Sequence, residues 1–339
     1  MKNILCVAAF AVVSLCAMSQ SKAQAILDKI TDRFTFSGYA QLGWEYHDQS
    51  DPNNDFKINK IIVMSNLRIT DKWNAFAMFD FKGFSLQEMW MNYQVQPWLK
   101  IKVGQFKTPF TIENPLSPSV LETIDQTSLA TNHMVLGSSQ LMMRGGAGRD
   151  IGLTVYGDAG KYVSYDLAVM NGAGRNKRDD NSWKDFVARL TFHPINCLDI
   201  SASTILGKGA TRSLDEDHSA LVWDDQAVEK DYARNRFAVG AYLRTAPIDV
   251  RSEWMWGKDG ELDSNGGYVT TQVKNVGVKG LDLVASFDHL ETEVTTNRYQ
   301  AGVQYWFFKK CRLQAGYSYT KVKGMEGENG ILTQIQVGF

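Results

Sequence analysis

Between Lys107 and Gly148 the charged residues are few and opposed in sign: Lys107 and Arg144 stand against Glu113, Glu122 and Asp125. Cations and carboxylates facing one another in this way set a transverse field, which acts on a passing ion rather than on a bond. The flanking segments add charges in one phase of their alternation. The bases are Arg68, Lys82, Lys100, Lys102, Arg189, Arg244, Arg251, Arg298 and Arg312; the acids are Glu45, Asp80, Glu88, Asp150, Asp166, Asp185, Glu253 and Asp288. The balance is mixed, with Glu88 and Arg189 near the middle of their segments. Bond-making chemistry finds less support. A nucleophile, a base and an orienting group must lie within reach of one another. The histidines His47, His133, His193, His218 and His289 show no short metal-ligand spacing. No segment presents Ser and His together two residues apart. Asp179-Asp180-Asn181 lacks the spaced oxygens of a dedicated calcium loop and reads as a solvated tip. Neither a catalytic residue nor a metal site is assigned, and no cofactor is expected.

These charges need elements to hold them, and the elements are strands. From Phe34 to Tyr46 the even positions are apolar or small (Phe36, Gly38, Ala40, Leu42, Trp44) and the odd positions largely polar. That period-two pattern runs beyond the ~5–6 residues of an ordinary strand, towards the ~9–11 of a tilted membrane strand. The pattern recurs to the C-terminus and gives about sixteen segments. Short connections such as Thr70–Lys72, Gln96–Trp98, His193–Cys197, Ala246-Pro247 and Phe308–Lys310 alternate with longer polar ones. The longer ones are Asp48–Asp55, Gly172–Trp183, Gly207–Asn235, Gly257–Gly266 and Thr320–Asn329. The connection at Phe84-Ser85 is short where a long one is due. Aromatic residues gather near segment ends, as amphipathic rings do at membrane interfaces.

Alternation lapses once, from Lys107 to Gly148. A connection this long is usually functional or disordered. Its apolar residues, Phe110, Ile112, Leu116, Leu121, Met134 and Val135 among them, need something to pack against. After Pro118, the run Ser119 to Glu122 carries a helix-start signal. The stretch reads as a loop folded into a cavity enclosed by the strands. Tyr39, Phe76, Trp90 and Phe106 lie in the inward phase, where they either back this loop or form a slide for sugars.

Residues 1–25 form a secretory signal peptide: Lys2, an apolar run from Ile4 to Met18, and small-x-small cleavage sites at Ser21–Ala23 and Ala23–Ala25. Cleavage after Ala23 removes Lys2 and Lys22 and no acid, leaving 34 basic against 37 acidic residues. Such a chain is no nucleic-acid binder. Cys197 and Cys311 remain, and barrel geometry sets them too far apart to bond. No later apolar run approaches the ~20 residues of a membrane helix. In hydrocarbon every backbone polar group must be paired, so strands of this kind must close. The predicted fold class is an all-β transmembrane antiparallel barrel of about sixteen strands over residues 26–339, with segment 107–148 folded inward.

At VGQFKTPF (Val103–Phe110), GRDIG (Gly148–Gly152) and NGAGRN…DDNSWKDFVARL (Asn171–Leu190) the chain resembles the phosphate-selective porin O/P family of Gram-negative outer membranes. The resemblance implies a sixteen-stranded barrel, usually trimeric, with its third external loop folded inward as a constriction. It also implies an outer-membrane setting, with the lipid bilayer and lipopolysaccharide as surroundings. A final strand ending in Phe339 resembles the signal read by the barrel-assembly machinery. The expected function is passive diffusion of small hydrophilic solutes or ions. The candidate pore-lining residues are Lys107, Glu113, Glu122, Asp125, Arg144, Glu88, Lys100, Lys102 and Arg189. A phosphate- or anion-selective pore is the alternative, and a non-conducting adhesin or scaffold barrel a further one.

Overall fold

The computed structural model describes residues 33–124, 127–136, 147–179, 181–209, 212–214, 221–223 and 232–339. Residues 1–25, assigned to a signal peptide, and Asp125 and Arg144 of the candidate set lie outside the described residues.

The first strands are β1 (Phe34–His47), β2 (Asn54–Arg68), β3 (Trp73–Asp80), β4 (Ser85–Gln96) and β5 (Leu99–Lys107). After the long connection come β6 (Arg149–Ala159), β7 (Val163–Met170), β8 (Asp185–Ile195) and β9 (Leu198–Gly209). A separate ribbon pairs β10 (Arg212–Leu214) with β11 (Leu221–Trp223). Then follow β12 (Tyr232–Arg244), β13 (Ile248–Asp259), β14 (Leu262–Val273), β15 (Leu281–Glu291), β16 (Thr295–Phe308), β17 (Cys311–Val322) and β18 (Gly327–Gly338). Each strand outside the ribbon pairs antiparallel with its neighbours, β9 with β12, and β1 closes on β18 from Tyr39↔Gly338 to His47↔Gly330. The result is a closed sixteen-stranded antiparallel barrel.

The alternation decides which side each residue faces. Leu42, Met89, Met91, Leu153, Leu167, Phe186, Leu190 and Leu313 are exposed on the outside, while Gln41, Glu88, Gln105, Asp150, Arg251, Asp288 and Arg312 are buried within. That inversion suits hydrocarbon outside and polar groups inside. Trp73, Trp98, Phe192 and Phe307 stand exposed near the rim that carries the short turns. Trp306 departs from the expected ring of aromatics: it shares the inward phase of Gln304, two residues before it, and Arg312 lies over its ring.

Two of the long connections read from sequence are hairpins. Pairing continues to Asp259↔Leu262 within Gly257–Gly266, and to Lys321↔Gly327 within Thr320–Asn329. Gly260, at φ +59°, and Gly324, at φ +86°, supply the left-handed turn conformation, so polar strand ends pair on past the membrane-length core. The helix expected from Ser119 is also absent; that stretch is a turn. Glu122 does not return to cap it, because both of its carboxylate oxygens accept from Arg251. The helical turn lies later, at Leu129–Thr131, where Ser128 Oγ accepts from Thr131 N. Cys197 and Cys311 are free.

Candidate functional site

The described part of the segment after β5 lies inside the barrel, and its neck is built by Lys107, Asn114 and Gly148. Thr108 N donates to Gly148 O at 2.9 Å. The Asn114 amide donates to Thr108 O and Gly148 O, and Lys107 Nζ donates to the carbonyls of Asn114 and Leu116. Gly148 has φ +68°, and a Cβ there would sit 2.0 Å from Asn114 Oδ1, so only glycine fits.

From that neck the segment crosses the barrel and is tied to strands on the far side. Arg189 of β8 donates to Thr111 O, and Thr111 N donates to Ser203 Oγ of β9. Glu253 of β13 accepts from Ile112 N at 2.6 Å, Glu113 N at 3.2 Å and the Tyr268 hydroxyl at 2.8 Å. Arg251 holds Glu122 in a fork at 3.0 and 2.8 Å. Arg298 of β16 donates to Thr127 O, Gln314 of β17 to Glu122 O, and Gln336 of β18 to Ser119 O. Under the segment, Phe110, Ala130, Met134 and Val135 are buried against Met170, Val187, Ile205, Met255 and Tyr268. Of the inward rings, Phe106 belongs to this cluster with Trp90 packed on it, whereas Tyr39 packs with Ile62 and Met78 in a separate cluster that Phe76 borders.

The segment is therefore pinned against β12 to β16, while a cavity of about 220 Å³ remains where Ser119 and Val120 face β1, β16 and β18. On the pinned side the strand charges are consumed in pairs: Arg234–Asp185 at 2.6 Å, Arg236–Asp259 at 2.7 Å and Arg298–Asp288 at 2.6 Å. Buried pairs like these add little net stability, but removing one partner strands the other charge. Glu113 and Glu122, expected to line the passage, are buried anchors instead: Glu113 accepts from Ser128 N and Oγ, and Glu122 pairs with Arg251.

Opposite, along β4 to β8, a cavity of about 230 Å³ stays open between wall and segment. Glu88, Lys102, Lys107 and Arg189 all line it. Glu88 is paired with Arg149 at 3.1 Å, and Arg189 with Asp166 at 2.8 Å. Lys100 is elsewhere, over the Tyr156 ring at 5.6 Å. Sequence reasoning missed Arg149. It is the first residue of β6, beside an inward Asp150, so alternation alone would turn it out. A register shift between Met78 and Phe79 likewise puts both Gln87 and Glu88 inside.

A second cluster sits at the rim of short turns. Ser164 Oγ lies 2.8 Å from His193 Nε2, and His193 Nδ1 lies 2.6 Å from Asp199 Oδ1. Arg244 pairs with the other oxygen of Asp199 at 2.6 Å. Scanning single segments could not find this triad, because each member comes from a different strand. It is not a competent nucleophile. The single Ser164 hydroxyl proton also faces Asp158 Oδ1 at 2.8 Å, an acceptor-only carboxylate that would repel a developing oxyanion.

Among solved structures the chain is similar to several barrels of outer membranes. OmpT, an outer membrane protein of Vibrio cholerae, matches over 90% of this chain and 97% of its own, with a TM-score of 0.64 at 12% identity. An anion-selective porin from Comamonas acidovorans matches over 90% and 99%, with a TM-score of 0.64 at 10% identity. The fold is that of the outer-membrane porins. The outer membrane channel DcaP of Acinetobacter baumannii shares this porin fold at a TM-score of 0.62 and 12% identity, over 90% of this chain and 97% of its own. No family model matches the sequence, and no curated protein does either. At such identities the likeness is one of fold, and the resemblance to the phosphate-selective O/P porins rests on the motifs quoted above.

Proposed function

We propose that this chain is an outer-membrane porin, a water-filled channel for passive diffusion of small hydrophilic solutes and ions, with segment 107–148 as its constriction. One observation carries the reading: the segment is tied to strands on the far side of the barrel yet leaves a charged cavity along β4 to β8. A barrel of this strand number encloses more space than its own side chains fill. The segment then sets the narrowest cross-section, and no step of the transport is chemical. In this reading residues 1–25 direct export and are removed. The outward apolar face meets lipid and lipopolysaccharide, and Phe339 is presented to the assembly machinery. The functional unit is a homotrimer; the Vibrio cholerae OmpT has been solved in a trimer form.

A preference for anions is the second reading. It is favoured by Lys102, whose Nζ has ring contacts and, among the described residues, no carboxylate partner, while Glu88 and Asp166 are each neutralised by an arginine. Phosphate selectivity is its narrowest form.

Single-channel recording of the purified chain in planar bilayers tests the proposal. Stepwise currents are expected, and shortening the chain between Pro115 and Leu141 raises the conductance of each step severalfold. Folded barrels that never conduct would favour a scaffold or adhesin.

A further inference from the structure

Lys102 is held in an unusual place. Its Nζ lies 4.7 Å from the centre of the Trp90 ring, 4.9 Å from Tyr156 and 5.4 Å from Phe106. Among the described residues no hydrogen-bond acceptor or carboxylate is paired with it. Ring faces attract a cation but leave its charge uncompensated. Trp90 is fixed from behind by Phe76, stacked at 5.0 Å and 21°. The ammonium and the two rings Trp90 and Phe106 border the same cavity, whose other wall comes from prolines of the inward segment, Pro109, Pro115 and Pro118. The cavity thus offers an ammonium without a polar partner beside flat apolar surface. Three other cations border it: Arg149 and Arg189 hold Glu88 and Asp166, and Lys107 spends its ammonium on the carbonyls of Asn114 and Leu116.

We propose that this cavity is a binding subsite for a small organic monocarboxylate with a flat apolar body, its carboxylate on Lys102 Nζ and its body between Trp90, Phe106 and the proline wall. The inference rests on the porin reading and names a solute class for it. Charge and surface both point away from inorganic phosphate. A multivalent, strongly hydrated anion needs several converging donors, whereas here Lys107 is turned to carbonyls of the segment, Lys102 alone of the four lining cations lacks a polar partner among the described residues, and Glu88 and Asp166 stand close by. A monocarboxylate needs one cation and loses little by leaving water on its apolar side.

Benzoate is the probe, with acetate and inorganic phosphate as controls, on the full chain in planar bilayers and by titration calorimetry in detergent. Benzoate is expected to interrupt the chloride current in a concentration-dependent way, and acetate at the same concentration to have little effect. Lys102→Met keeps the stem and removes the charge; it should raise the half-blocking concentration of benzoate about tenfold, while Lys102→Arg retains most of the block. Equal block by acetate and benzoate, stronger block by phosphate, or no effect of Lys102→Met in a folded barrel would overturn the site. Normal chloride currents with no benzoate heat remove the subsite and leave the porin standing. Benzoate heat that vanishes in Lys102→Met, from barrels that carry no current, keeps the subsite and removes the porin.

Discussion

The two sides of the lumen use the same residue types to opposite ends. On the side of β12 to β16, arginines meet carboxylates at 2.6–2.8 Å, and the inward segment lies across them. Along β4 to β8 the acids are also paired, through Arg149 and Arg189, but Lys102 is left over and the segment stands off. The lesson concerns neighbours rather than composition. An arginine fork can satisfy a carboxylate fully and exclude water, so paired charges become cement. A lysine surrounded by rings keeps its field and can act on a solute.

The comparison breaks most sharply at Glu122. Glu122→Ala leaves the buried Arg251 with only Glu113 at 3.5 Å, a loss on the order of 3–5 kcal/mol for a broken buried pair. The segment is expected to come off the wall it is pinned to, so that single-channel conductance rises while barrel content by circular dichroism holds; unchanged conductance would mean that Arg251–Glu122 does not anchor the segment. A smaller effect is expected at Glu88. Glu88→Gln frees Arg149 on the open wall, and the reversal potential in a salt gradient should move towards anion preference, by about twofold in permeability ratio. A shift towards cations would show that the field along β4 to β8 is read with the wrong sign.

The smallest effect lies away from both walls, at the seam between β1 and β18. In the connection after β1, Asp48 accepts from the side chain of Asn329 at 2.5 Å and from its backbone N–H at 2.8 Å. These two donors hold the Asp48 carboxyl below its ordinary range. A lowered folded-state value means that the contact's stability is present above the ordinary carboxylate range and is lost as pH falls through the lowered value. Asp48→Asn should flatten that acid limb in thermal unfolding and change little at neutral pH; an unaltered limb would remove Asp48 from the account.

Legibility divides along the same lines. Period-two alternation is local, so the inward phases of Glu88, Lys102, Arg189, Arg251 and Glu253 could be read from neighbours two residues away, and the inside positions of these residues follow. Arg149 and Gln87 could not, because a strand start and a register shift break the phase at those points. The helix signal at Ser119 was also local, and it yielded to a contact with Arg251, 129 positions away from Glu122. The role of Lys107 at the neck depends on carbonyls of Asn114 and Leu116 that face it only once the chain has turned.

What the amino-acid order determined by itself is the closed barrel: alternating faces over membrane-length strands, each backbone group needing a partner, leave closure as the solution. What only the tertiary structure decided is which charges remain available. Pairing is a matter of distances between strands far apart in sequence, and a difference of a few ångströms separates a carboxylate that pins the segment, such as Glu122 on Arg251 at 2.8 Å, from a lysine left facing the cavity.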